Sequence, residues 1–480
     1  MLFNSLKFLF FFPAVVFIYF LIPHRFRWFW LLAASCVFYM TFVPVYILIL
    51  FGTIVIDYFA GILIEETTGT KKKASLVLSL IANIGVLCVF KYYNFFTENF
   101  EVLFSALNIS LNLPLLSILL PIGLSFHTFQ AMSYTIEVYR GNHKAERHFG
   151  IYALYVMFFP QLVAGPIERP QNMLHQFHEK HFLIPKNVLD GIRLMLWGFF
   201  KKVVIADRLS LYVDPVFNNY QDYHFLNLII ASVFFAFQIY ADFSGYSDIA
   251  LGSARIMGFN LMINFDRPFA SKNVTEYWRK WHISLSSWLK DYLYTPIALN
   301  RRNWGIAGIL FALIITMMIS GLWHGAAWTF IIYGSIQGSA ICLELLTKKF
   351  RKQLSKKIPS IIYTNFSILL TFSFTCFCLI FFRAPNIDSA FGMIENIFSF
   401  NTAHPCSWII GTGEISFNNF SWIVSIFSLL LLFITEKFTY PDMKSLNQYP
   451  RLDLIIGVAV FTLIITCGIF NQSSFIYFQF

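Results

Sequence analysis

Residues 303–343 read NWGIAGILFALIITMMISGLWHGAAWTFIIYGSIQGSAICL, 41 residues without one Asp, Glu, Lys or Arg. A helix needs ~20 apolar residues to cross the ~30 Å hydrocarbon layer of a bilayer, so the run holds two spans. Between them lies Gly321-Leu322-Trp323-His324-Gly325-Ala326-Ala327-Trp328. With Arg301 and Arg302 on the inner face, a helix over 307–322 climbs roughly 24 Å, and the next span descends to the cations that begin at Lys348. His324 is therefore expected at the bend between two antiparallel spans. A polar ring at such depth is rare, usually faces a bundle interior or a wet cavity, and is a candidate for function. The bland reading is a packing histidine bonded to a neighbouring span. Gly325, Ala326 and Ala327 would admit a close approach, and Trp323 and Trp328 would wall the pocket.

The rest of the chain agrees with a membrane setting. Of 480 residues, 57% are apolar and 12% charged, with a mean hydropathy of +0.63, which leaves too little polar surface for a water-soluble globule. The aromatic share of 19%, with 58 Phe, suits a lipid-facing exterior. Further spans are expected near 8–23, 28–43, 45–63, 74–90, 149–165, 225–241, 327–346, 359–382, 417–435 and 454–471. The segments 102–136 and 192–213 are irregular: Pro114 and Pro121 interrupt the first, and Lys201, Lys202, Asp207 and Arg208 the second. Irregular backbone survives at membrane depth only where protein covers it or it lines a wet cavity. The expectation is an all-α polytopic membrane protein with about 11–13 transmembrane or re-entrant helices, forming a single membrane domain over 1–480. The first 22 residues lack a cleavage site and read as the first span. The net charge of +10 reports orientation rather than a nucleic-acid site: the cations at Arg25 and Arg27, Lys71 to Lys73, Lys348 to Lys357, and Lys437, Lys444 and Arg451 belong inside, with both termini outside and 383–416 as an external loop or cap.

Two other stretches carry polar chemistry. Residues 276–292 place Trp278, Trp281, Leu285, Trp288, Leu289 and Tyr292 at helical spacing, an amphipathic helix with His282 on its aromatic stripe. It reads either as an interfacial helix on the inner leaflet or as the mouth of a tunnel whose cations attract an anionic thioester carrier. In Gln238–Asp248, Asp242 and Asp248 follow a span; they are expected to close salt bridges with Arg267, Arg279 or Arg255, or else to orient a histidine or an acceptor. The pairs Lys201-Lys202 and Arg301-Arg302 read as inner-face topology markers. The seven cysteines (Cys36, Cys88, Cys342, Cys376, Cys378, Cys406, Cys467) show no CxxC pair, and His127, His143, His148, His175, His178, His181 and His404 lack ligand spacing, so no metal site is expected. Neither a P-loop, a GxSxG elbow, an HExxH nor a dinucleotide fingerprint occurs.

Taken together, Pro121–Phe126, Phe159–Pro166, Asp242–Asp248, Trp278–Ser286, Gly321–Trp328 and Phe382-Arg383-Ala384 resemble the motifs of the membrane-bound O-acyltransferase family, in particular its bacterial branch containing the alginate O-acetylation membrane subunit. The resemblance covers most of 115–340, the expected catalytic core. It implies helices around a central tunnel, His324 as the principal catalytic histidine and His282 as a second one on the cytoplasmic side. It further implies an acyl thioester donor, acetyl-CoA, with no bound cofactor, and an extracytoplasmic SGNH-type partner that completes transfer to a polysaccharide or peptidoglycan hydroxyl. In this reading His324 is the general base: a neutral imidazole with a reference pKa of ~6.5 is poised near working pH. The sequence departs from the family pattern at His127, where an aromatic is more usual, at Ala298-Leu299 in place of a glycine pair, and at Gln337, where a histidine often stands. Two competing readings stay open, teichoic-acid D-alanylation from a carrier protein and a transporter or flippase.

Overall fold

The structure is a computed structural model that describes residues 1–110, 113–117, 120–400, 402, 404–410, 417–438, 450–470 and 475–476. The basic positions Lys437, Lys444 and Arg451, used above for orientation, lie outside the described side chains. Among the described residues the chain is helical, with one isolated bridge between Ile410 and Phe417. Among the described residues seven helices are long and apolar enough to cross a bilayer: Pro44–Glu66, Gly69–Ser105, Phe225–Ile256, Ile306–His324, Trp328–Leu346, Ser360–Arg383 and Asn419–Glu436. The all-α polytopic expectation holds.

Two expected spans take other forms, and one segment expected to be irregular is so. The stretch 149–165 is the helix Phe149–Met157, interrupted at Phe158 and resumed over Phe159–Leu162. Pro160 cannot continue the hydrogen-bond ladder and instead opens the second piece. Residues 28–43 fall in His24–Met40, whose first turn carries Arg25 and Arg27. The irregularity at 192–213 is a π-helical segment, Phe200–Ala206, between Pro185–Phe199 and Asp207–Asn218. The widened turn fits the sequence, since it carries two adjacent lysines that must both find partners.

The backbone packs as two compact units, one made of 1–192 with 250–262, the other of 193–249 with 263–480. In the first unit the motifs at 121–126 and 159–166 dock on each other: Gly123 opens its helix at a φ of 76°, and a Cβ there would lie 2.6 Å from the carbonyl of Leu162, so only glycine fits. Asp57 is buried in this unit and accepts hydrogen bonds from Ser79 at 2.6 Å and Asn83 at 2.9 Å, which ties two spans together. His127 faces inward and pairs with Thr53 at 2.9 Å.

The second unit is organised around the hairpin of Ile306–His324 and Trp328–Leu346. Backbone meets backbone along it: Cβ atoms at Gly321 and Gly334 would sit 2.1 Å from the Phe330 carbonyl and 2.2 Å from the Met317 carbonyl. Small residues permit such an approach, and the dispersion gained at close range holds helices together in lipid.

Candidate active site

His324 ends its helix, and the chain turns over Gly325-Ala326-Ala327 into the next span. It is thus at the apex of the charge-free hairpin, as the sequence predicts, and only 4% exposed. Its ring is enclosed edge-on by Trp323 at 5.0 Å, Phe382 at 5.2 Å and Tyr333 at 6.4 Å. Trp328, expected as the second wall, is 50% exposed. Phe382 takes that place, packed on Phe330 and Tyr333. The following Arg383 is fixed to Asp214 at 2.8 Å, which accounts for the Phe-Arg-Ala motif as a bracket behind the imidazole. Gly325 is not open to a ligand, because Phe330 lies 2.1 Å from where its Cβ would stand.

The continuous amphipathic helix expected over 276–292 is broken at His282. Helices Val274–Lys280 and Ile283–Leu289 flank it, followed by a π-helical turn over Lys290–Tyr294. His282 itself adopts a φ of 45°, in the left-handed region, where non-glycine residues are uncommon and need their surroundings to hold them. Asn264 supplies that hold. Its carbonyl accepts from the Ile283 N–H at 2.9 Å, its Oδ1 accepts from the Ser284 hydroxyl at 2.6 Å, and its Nδ2 donates to Ser247 at 3.2 Å. The kink turns the fully buried imidazole inward, 4.6 Å from Phe243 and 5.9 Å from Trp323. The Trp323 indole therefore contacts both histidines. Burial, reinforced by nearby His324, holds the His282 imidazole well below its ordinary range; the ring is neutral at pH 7.

The other tryptophans divide by role. Trp281 is a core residue, stacked on Tyr277 at 5.5 Å and wedged against Phe265 at 5.1 Å. Trp278 donates to Gln337 at 3.1 Å and lines a cavity of about 560 Å³ with Arg279, Ile283, Lys290, Tyr294 and Thr316. Arg279 and Lys290 are the charged residues of the lining and both are cationic, so the cavity favours an anion. Glu344 accepts from the Val274 and Thr275 N–H groups at 2.6 and 3.0 Å, anchoring the short Trp278 helix to the hairpin. The glycine pair replaced by Ala298-Leu299 has become an ordinary helix, Thr295–Asn300, with Leu299 exposed.

Asp242 and Asp248 form ion pairs, but not with the arginines expected. Lys201 meets Asp248 at 2.6 Å, while Lys202 bridges Asp242 at 2.6 Å and Asp207 at 2.9 Å. These lysines are buried, so they are not topology markers. Gly198 and Gly245 explain the meeting: a Cβ at either would lie within 2.7 Å of the other's carbonyl, and this crossing sets the two lysines beside the two aspartates. Asp242 also accepts from the Ile476 N–H at 2.7 Å. A sequence signal existed in two adjacent cations inside an apolar segment, opposite two carboxylates six positions apart. Asn264, by contrast, carried none.

Such a site asks for one test of position. Asn264→Ala should lower turnover about tenfold or more with a smaller change in KM, whereas Asn264→Asp, which keeps the Oδ1 acceptor, should recover much of it. Equal loss in kcat and in thermal stability for both variants would reduce Asn264 to a fold residue.

Two buried imidazoles that share Trp323 within a polytopic helical bundle are groups able to move a proton in a membrane-embedded reaction. The chain belongs to the membrane-bound O-acyltransferase family, whose sequence profile matches residues 146–383, and it is an O-acyltransferase. It is 32% identical to a peptidoglycan O-acetyltransferase of Helicobacter pylori across 100% of this chain and 98% of that protein. It is 36% identical to the Probable alginate O-acetylase AlgI of Pseudomonas aeruginosa, covering 84% and 76% of the two chains. A teichoic acid D-alanyltransferase of Bacillus subtilis is 28% identical over 53% of this chain and 67% of its own.

Proposed function

We propose that this protein passes an acetyl group from a thioester on the inner face of a bacterial cytoplasmic membrane, acetyl-CoA, to a hydroxyl presented from outside, with His324 as general base. The observation that carries the reading is the pair of buried histidines sharing Trp323, close to a cavity whose charged lining is wholly cationic. His324 accepts the proton of the acceptor hydroxyl as its oxygen attacks the thioester carbonyl. The tetrahedral intermediate collapses with loss of the C–S bond, and the imidazolium returns the proton to the departing thiolate. Neutral His282 contributes a hydrogen-bonding ring without adding a second charge. Arg279 and Lys290 attract the phosphates of the donor.

The named activities of the peptidoglycan and alginate relatives support acetyl as the group, and a cell-wall glycan or secreted polysaccharide as its destination. An SGNH-type partner outside the membrane completes the transfer, and both termini face outward. Donation by a carrier protein is the second reading, favoured by similarity to the D-alanyltransferases. Proteoliposomes holding the full chain, supplied with acetyl-labelled CoA outside or inside and a glycan acceptor with its partner opposite, decide among these. Labelled acceptor and free CoA are the expected products. Label moved across the bilayer without any new ester would indicate a transporter, and turnover only with an acylated carrier protein would indicate the second reading.

A further inference from the structure

Beyond helix Pro450–Cys467 the chain comes back to the lysine–aspartate pairs, and polar contacts pin it there. The Cys467 carbonyl accepts from Arg208 at 2.5 Å, the Ile469 N–H donates at 2.9 Å to the carbonyl of Val203 inside the π-helical turn, and the Ile476 N–H donates at 2.7 Å to Asp242 Oδ2. Asp242 thus divides its carboxylate, with Oδ1 on Lys202 at 2.6 Å and Oδ2 on a backbone N–H 234 positions later. Charge-assisted bonds of this kind are strong and directional, so they set the register of the returning segment. Phe475 and Ile476 are 2% and 5% exposed. The Phe475 ring lies across two aromatic residues of helix Phe225–Ile256, Phe243 at 5.6 Å and Tyr246 at 5.1 Å, which share one face three positions apart. Phe243 is the ring that meets the His282 imidazole edge-on at 4.6 Å. It also packs on Phe265 at 5.0 Å, next to the Asn264 that holds the kink.

A closely packed ring keeps its rotamer because there is no space for another. Phe243 is held in this way by Phe265, Phe475 and His282. Removing the Phe475 ring opens room behind Phe243, and the face on which the imidazole rests can then shift. Displacements of about 1 Å near reacting groups cost up to ~10²-fold in rate. We infer that Phe475 is a positioning residue for His282, acting through Phe243, with the Asp242–Ile476 hydrogen bond setting where it stands. Plain core filling asks for apolar volume and not for a fixed register. Here, by contrast, a carboxylate already engaged by a lysine gives its second oxygen to the backbone beside the ring. The segment carrying Phe475 is therefore part of the construction of the site without touching a reacting atom. This rests on the reading of His282 as a group of the acyl transfer.

The test is a kinetic cycle on the full chain in proteoliposomes, with labelled acetyl-CoA on one side, a glycan acceptor and its partner on the other, and kcat taken per folded protein. Phe475→Ala should lower kcat about tenfold while KM for acetyl-CoA stays within about twofold. Phe475→Leu, which restores most of the apolar volume, should recover most of the loss. Ile476→Pro deletes the N–H that Asp242 accepts and should reproduce the loss, whereas Ile476→Val should not. The deciding variant places Phe475→Ala in a His282→Asn background, asparagine being a residue that tolerates the left-handed backbone. There the second change should cost less than about twofold, because residues that act through one another are not additive. An unchanged kcat in Phe475→Ala would overturn the proposal, as would the full loss repeated in the His282→Asn background, which marks a general structural role. A His282→Asn protein as fast as wild type would instead overturn the reading of His282 itself.

Discussion

His324→Ala should insert and fold normally yet transfer acyl groups at least about 10³-fold more slowly than wild type. The ring lies at a hairpin apex against Trp323, Phe382 and Tyr333, and His282 sits on the far side of Trp323, its basicity lowered by burial. General-base assistance is worth ~10²–10⁴ in rate, and none of the three rings packed on it, Trp323, Tyr333 and Phe382, takes a proton at neutral pH. Labelled-acetyl transfer in membranes, normalised to the protein inserted, measures it. A variant within threefold of wild type would force the base to be sought elsewhere, with His282 the next position to replace.

The second large effect is on stability. Lys201→Met should destabilise the protein by about 3–5 kcal/mol, because it strands the carboxylate of Asp248 in a site without solvent. Desolvating an unpaired charge is the dominant cost, more than losing one attraction. The double change Lys201→Met with Asp248→Leu should therefore recover most of the loss, since a well-packed apolar pair often replaces a buried ion pair without penalty. Thermal unfolding in detergent reads both. If the double variant is as unstable as the single one, the pair does more than neutralise itself. Lys202, shared by Asp242 and Asp207, should be less forgiving, for no single compensating change satisfies both partners.

The hairpin and its histidine were legible in the sequence because the signal is local: 41 uncharged residues, a polar ring and small neighbours in one stretch. The break at His282 was not. Trp278, Trp281, Leu285 and Trp288 have the same spacing whether one helix or two short ones carry them, and the deciding contact comes from Asn264, far back in the chain. The lysines were misread for a related reason. Cations beside apolar segments look alike whether they face the cytoplasm or a carboxylate, and Asp242 and Asp248 arrive only after an intervening helix. Trp328 shows the opposite limit: position next to a motif does not fix direction, and the first residue of a new helix faced out while Phe382, much later in the chain, closed the pocket.

The left-handed backbone at His282 restricts what natural variation or a mutagenic library can do there. Asparagine, aspartate and glycine visit that conformation at low cost, whereas valine, isoleucine and threonine resist it. Replacement is filtered by geometry before chemistry is ever sampled, so the accessible alternatives to imidazole are few, and among the easily accommodated ones asparagine alone offers an uncharged side chain able to donate and accept a hydrogen bond.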